Sequence, residues 1–146
     1  MASDAATEEA RWLSLPGKDK GQMNSKTILI VDDEESVRRV LYKTLSEQYI
    51  VLEAKDGAAA IDIARSQKPD LILMDIMMPK MDGYNATSII KKDNETKGIP
   101  VVMLTGLGFE LNKKLAETMG ADGYIAKPFS PEQLRHTVGQ FLESST

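Results

Sequence analysis

Ile28-Leu29-Ile30-Val31-Asp32-Asp33-Glu34-Glu35 is a run of four apolar residues that leads straight into four acids. A continuous apolar run this short, rich in β-branched residues, suits a strand buried on both faces of a parallel sheet. The pattern recurs: Leu71 to Met74 ends at Asp75, Val101 to Leu104 ends at Thr105, and Gly123 to Ala126 leads into Lys127. With Thr27 to Val31 and Ile50 to Ala54, these make five strand candidates. Between them lie amphipathic stretches. Val37, Val40, Leu41 and Leu45 share one helical face, as do Leu111, Leu115 and Met119, and then Leu134, Val138 and Phe141. Asp56 and Gly57 open the second helix and Lys68-Pro69 closes it. Such alternation implies right-handed βαβ crossovers and a doubly wound α/β domain with helices on both sheet faces. In such sheets ligands bind along the edge where the carboxyl ends of the strands meet. Residues scattered over almost a hundred positions would therefore share one pocket.

Composition narrows the function classes. The 146 residues, 42% of them hydrophobic, suffice for one compact domain and are too few for two ordinary ones. A net charge of −4 argues against sequence-independent contact with nucleic acid. The absence of cysteine excludes disulfides, thiolate catalysis and Cys-based zinc sites. Neither a membrane-spanning run nor a secretory signal is visible, so the chain reads as a soluble cytoplasmic protein. Residues 1–25 show no sustained periodicity and read as a flexible leader, linker or cloning remnant; residues 26–146 read as the domain.

Asp32, Asp33 and Asp75 would bring three carboxylates together, and without a cation their repulsion would raise at least one pKa. Mg²⁺, a hard ion that binds carboxylates while keeping waters and contacting phosphate oxygens, relieves that conflict. A plainer role for Asp32 or Asp33 is to cap the helix that follows. Asp75, at the end of a buried strand before a loop that restarts as a helix near Asp82, can act as a nucleophile on phosphorus. Thr105 is either a strand-end β-former or a hydroxyl donor to a phosphoryl oxygen. Lys127 lies among apolar neighbours and precedes Pro128, and X-Pro bonds tolerate cis geometry. The single histidine, His136, falls on an exposed helical face. Met74 reads as strand core, and Met77, Met78 and Met81 as loop packing rather than a soft-metal site.

The motifs ILIVDDEE (28–35), LILMDIMMPKMDG (71–83), VVMLTG (101–106) and ADGYIAKPF (121–129) resemble, in order and spacing, those of the receiver domain of two-component response regulators. The resemblance implies a five-stranded, flavodoxin-like sheet of order 2-1-3-4-5. It also implies a phosphorylation-dependent switch in which Asp75 accepts a phosphoryl group from a sensor histidine kinase or phosphotransfer protein. Asp33 would bind Mg²⁺ directly, Asp32 directly or through water, and Asp75 and the Met77 backbone carbonyl would complete the protein's ligands. Lys127 would pair with the phosphate, Thr105 would move toward it, and Tyr124 would rotate inward behind Thr105. The apolar side chains of Met77 and Leu107, two positions after Asp75 and Thr105, cannot orient a water, so slow self-dephosphorylation is expected.

By the same resemblance, the output surface combines the helix around Leu111 to Met119, the strand Gly123 to Ala126 and the helix Pro131 to Leu142. A protein partner would read it, without direct contact to nucleic acid or membrane; a phosphorylation-dependent dimer is a further option. The chain would catalyse only its own phosphorylation and dephosphorylation. It would be a free-standing receiver or one cut from a longer regulator. Kinase specificity would reside near Ser36, Arg39, Val40 and Lys43. Three rival readings are weaker. A phosphatase forming an aspartyl phosphate on its first strand resembles a pattern with two acids separated by one residue, whereas Asp32 and Asp33 are adjacent. A nucleotide or flavin carrier needs a Gly-, Ser- or Thr-rich loop after the first strand, where four acids stand. A receiver-like interaction module working without phosphorylation would not need every site residue, and all are present.

Overall fold

The computed structural model describes residues 25–79, 81–106, 114–115 and 117–143. The strands are β1 (Thr27–Val31), β2 (Ile50–Ala54), β3 (Leu71–Asp75), β4 (Val101–Thr105) and β5 (Gly123–Ala126). They pair in parallel in the order β2-β1-β3-β4-β5, as the resemblance implied. Among the described residues, α1 (Glu35–Leu45), α2 (Gly57–Gln67) and α3 (Gly83–Lys92) lie between successive strands, residues 114–115 and 117–118 between β4 and β5 are also helical, and a C-terminal helix spans Pro131–Leu142. Two strands run one residue further than their apolar runs. Asp75 pairs with Leu104 and Thr105 with Ala126, so both polar side chains are set on the last ladder position rather than in a loop.

The alternation of side chains along each strand divides the core into two layers. Leu29, Val31, Ile72, Met74, Val101 and Met103 face one way and meet α2 and α3 through Ala60, Ile61, Ala64, Ala86 and Ile90. Ile28, Ile30, Leu71, Leu73, Val102 and Leu104 face the other way and meet α1 and the C-terminal helix through Leu41, Leu45, Leu134 and Val138. Burying an aliphatic side chain of this size is worth roughly 1.5–3 kcal/mol, so the two layers hold the strand ends rigidly in register. Small residues on α2 and α3 (Ala60, Ala64, Ala86) let those helices lie close to the sheet.

Local signals set the helix ends. Asp56 caps α2 by accepting from the Ala59 N–H at 2.8 Å, and Asp82 caps α3 by accepting from the Asn85 N–H at 2.9 Å. Lys68, before Pro69, closes α2 with φ of 49°. Ser130 and Gln133 form a reciprocal capping box at the start of the C-terminal helix. On α1, Leu41 and Leu45 are buried, but Val40 is 56% exposed and does not join the core stripe. The expected leader (residues 1–25) lies, except for its last residue, outside the described residues, as do Leu107 and Leu111.

Candidate functional site

The carboxyl ends of β1 and β3 adjoin because Val31 pairs with Met74. The next residues of each strand, Asp32 and Asp75, therefore meet, and Asp33 joins them. Each of the three acids offers an oxygen within 4.8 Å of the others. Asp32 and Asp75 are buried and Asp33 is exposed. All three donors are hard carboxylate oxygens, the set that suits Mg²⁺. Neither Asp32 nor Asp33 is the N-cap of α1. That position belongs to Glu34, which makes no side-chain cap, while Asp32 Oδ1 accepts from the Glu34 N–H at 2.9 Å.

Lys127 reaches the cluster from the end of β5, and the Lys127–Pro128 peptide that follows it is cis. Its Nζ donates to Asp75 Oδ1 at 2.8 Å and lies 3.5 Å from Asp32 Oδ2. Burial pushes the Asp75 carboxyl above its ordinary range; the hydrogen bond from Lys127 pulls it back, and the charges of Asp32 and Asp33 push it up again. For Lys127, burial favours the neutral amine, but the hydrogen bond it donates to Asp75 and the charges of Asp75 and Asp32 outweigh it and hold the ammonium above its usual value. Two negative charges thus exceed what one lysine neutralises, even before Asp33 is counted. A divalent cation would complete the balance.

Thr105 stands beside this pocket on β4, fully buried, and its Oγ1 has no hydrogen-bond partner among the described residues. A buried hydroxyl without a partner is costly, and an anionic oxygen at the mouth of the pocket is a partner it could take. The Lys127 N–H donates to the Thr105 carbonyl, which links the two residues through the backbone. Tyr124 is the register partner of Met103 and packs, half-buried, on the α2–α3 side of the sheet. Thr105 follows Met103 by two residues and so faces the same way. Tyr124 is consequently behind Thr105 and not among the acids.

Other expectations fare differently. Met77 is 78% exposed, not packed in its loop, whereas Met74 and Met78 are buried. His136 is exposed, and lines a cavity of about 350 Å³ with Tyr124, Pro128 and Gln133 on the face expected for output. Two residues of the site escaped the sequence reading. Gly83 opens α3 against the end of β3, where a Cβ would lie 2.2 Å from the Asp75 carbonyl oxygen; the Asp82-Gly83 pair is its visible signal. Arg38 donates from one guanidinium nitrogen to the Asp32 carbonyl at 2.7 Å and from Nε to Glu53 at 3.0 Å. Nothing in the spacing of Arg38 and Glu53 announces that contact.

A doubly wound parallel sheet with three carboxylates, a lysine and a threonine at its carboxyl edge defines a phosphate- and cation-compatible α/β domain. The comparisons identify the family. Residues 28–139 match the response regulator receiver domain, and the chain belongs to that family, part of two-component signalling systems. It is 41% identical over 122 residues to the "Probable transcriptional regulator ycf27" of Cyanophora paradoxa, covering 83% of this chain and 50% of that protein. The chain thus spans about half the length of the curated relatives it matches. Its fold is similar to chemotaxis protein CheY4 of Vibrio cholerae, with a TM-score of 0.77 and 33% identity over 81% of this chain and 99% of that one. It is also similar to the receiver domain of sensor histidine kinase PA1611 from Pseudomonas aeruginosa PAO1. There the TM-score is 0.75 and the identity 29%, over 81% of this chain and 98% of that one, and that structure has a magnesium ion in its active-site cleft. Among the described residues, no helix is long and apolar enough to cross a membrane.

Proposed function

We propose that this receiver is a phosphorylation switch whose acceptor is Asp75. The observation that carries the reading is the buried Asp75 carboxylate, grouped with Asp32 and Asp33 and bonded to Lys127 at 2.8 Å. An Asp75 oxygen attacks the phosphorus of a phosphohistidine on a sensor kinase or phosphotransfer protein. An O–P bond forms, the P–N bond breaks, and the histidine nitrogen leaves with the electron pair. Mg²⁺ supplies charge neutralisation for the phosphoryl oxygens. Asp33 and Asp75 would hold it with the Met77 carbonyl, and Asp32 directly or through water. Lys127 then transfers its bond from Asp75 to a phosphoryl oxygen.

Thr105 donates its unused hydroxyl to another phosphoryl oxygen, and Tyr124 follows inward. The rearrangement changes the surface of β5 and the C-terminal helix, where a downstream protein partner reads it, by binding or by pairing of two copies. The matched relatives are named transcriptional regulators and extend well beyond the aligned segment, so the output includes control of transcription. The net charge of −4 favours a route through protein contacts rather than through this domain's own grip on DNA.

Incubation of the chain with Mg²⁺ and acetyl phosphate, followed by intact-mass measurement, tests the reading. One phosphoryl group should be gained, and the gain should vanish without Mg²⁺ or in Asp75→Asn. Mg²⁺ binding without any gain, from either acetyl phosphate or a phosphorylated kinase domain, would favour the interaction module that works unphosphorylated.

A further inference from the structure

Arg38 and Arg39 are neighbours on α1 with opposite circumstances. Arg39 pairs with Glu35 one turn away, and both side chains are mostly exposed, as on any solvated helix face. The Arg38 side chain is only 17% exposed and turns inward, to the backbone of the acidic loop. Its guanidinium donates to the carbonyl of Asp32 at 2.7 Å while its Nε donates to Glu53 on β2 at 3.0 Å.

The bonding of Asp32 shows what this contact adds. Its N–H donates to the Ala54 carbonyl at 3.2 Å, its Oδ1 accepts from the Glu34 N–H, and its Oδ2 faces Lys127. The remaining polar group, the carbonyl, belongs to the peptide that leads into Asp33. Bonding that oxygen sets the plane of the Asp32–Asp33 peptide and therefore the direction in which the Asp33 carboxylate leaves the chain. Asp33 is the exposed member of the acidic cluster, with the least packing to orient it. A long arginine side chain alone would swing; Glu53, opposite Ile30 in the β1–β2 register, fixes its fork.

We infer that Arg38, anchored by Glu53, is a positioning residue that sets the Asp32–Asp33 peptide in the geometry for a divalent cation. The inference rests on the Mg²⁺ site proposed above. Partners that orient metal ligands without touching the metal commonly change affinity strongly.

Calorimetric titration of the full chain with Mg²⁺, together with amide exchange in the metal-free protein, tests it. Arg38→Met keeps the apolar stem and a good helix former while removing every donor. It should raise the Mg²⁺ dissociation constant about tenfold and speed exchange at Asp33 and Glu34, with Leu41 and Leu45 unchanged. Arg38→Lys, retaining one donor, should recover part of the affinity, which general destabilisation of α1 would not explain. Glu53→Gln should show a smaller loss, and it decides the matter if Arg38→Met fails to fold. Wild-type affinity and wild-type exchange in Arg38→Met, or in Glu53→Gln when that variant must decide, would overturn the positioning role. Failure of the unaltered chain to bind Mg²⁺ would instead overturn the metal site itself.

Discussion

Asp75 is only 5% exposed, at the carboxyl end of β3 beside Asp32 and Asp33. Its neighbours differ in chemistry: Lys127 supplies a positive charge, Thr105 a buried hydroxyl with no partner among the described residues, and Asp32 and Asp33 hard carboxylate oxygens. Each of these five was legible in the sequence because a polar residue after an apolar strand has one edge at which to emerge. Arg38 was not, since its bond goes to a backbone carbonyl and leaves no trace in residue type. The exposure of Met77 was missed for a similar reason: a methionine beside a buried strand resembles packing until the loop is seen to turn it outward. That exposed thioether offers an attacking water no strong hydrogen-bond acceptor. The acyl phosphate is therefore expected to last well beyond seconds in the isolated protein. Met77→Asn, which adds a carbonyl and an amide at the same place, should shorten it. Decay followed by loss of the phosphorylated mass checks both; a half-life of a few seconds for the unaltered chain would refute the expectation.

The sheet order places β1 and β3 side by side although α1, β2 and α2 separate them in sequence, and this crossover makes the acidic site. The α3 helix completes it by starting hard against β3. A Cβ at Gly83 would fall 2.2 Å from the Asp75 carbonyl, well inside contact distance, and the Gly83 N–H donates to the Ile76 carbonyl at 2.9 Å. Gly83→Ala should consequently cost about 2–4 kcal/mol by forcing the backbone apart, measured by urea unfolding, and should lower phosphoryl transfer to Asp75. At the opposite edge of the sheet the C-terminal helix is tied to the start of β2 by the Tyr49 hydroxyl, which donates to Glu143 at 2.6 Å. Burial first, then this hydrogen bond and the Glu143 charge, raise the Tyr49 phenol above its ordinary range. A raised pKa means stability that is present below the unfolded tyrosine pKa and is lost as pH rises through the folded one. Tyr49→Phe should lose about 1 kcal/mol at neutral pH, and the gap to the unaltered protein should close as pH climbs above about 10. A gap constant into strong alkali would contradict the assignment. The ends of α2 and the start of α3 were legible because Asp56, Lys68-Pro69 and Asp82 are local signals; Val40 was misplaced because helical periodicity alone does not say where the apolar stripe ends.

Across the molecule, two packed layers hold a site that carries more negative charge than Lys127 can offset, so folding and cation binding are linked. Saturating Mg²⁺ at a hundred times its dissociation constant should stabilise the fold by about 2.7 kcal/mol, seen as a rise in melting temperature, and the rise should be much smaller in Asp33→Asn. The five-stranded order itself was carried by the likeness of four motifs to the receiver family; the apolar runs alone establish a parallel α/β sheet but not which strands adjoin. In the proposed switch Lys127 exchanges its partner and Thr105 gains one, and all of it depends on Asp75 being the acceptor. The most direct test reduces the acetyl-phosphate-treated protein with borohydride, which converts an aspartyl phosphate to homoserine, and maps the product by peptide mass spectrometry. Homoserine at position 75, formed only when Mg²⁺ is present, is the expected result. Homoserine at another aspartate, or none in a protein that has gained a phosphoryl group, would contradict it.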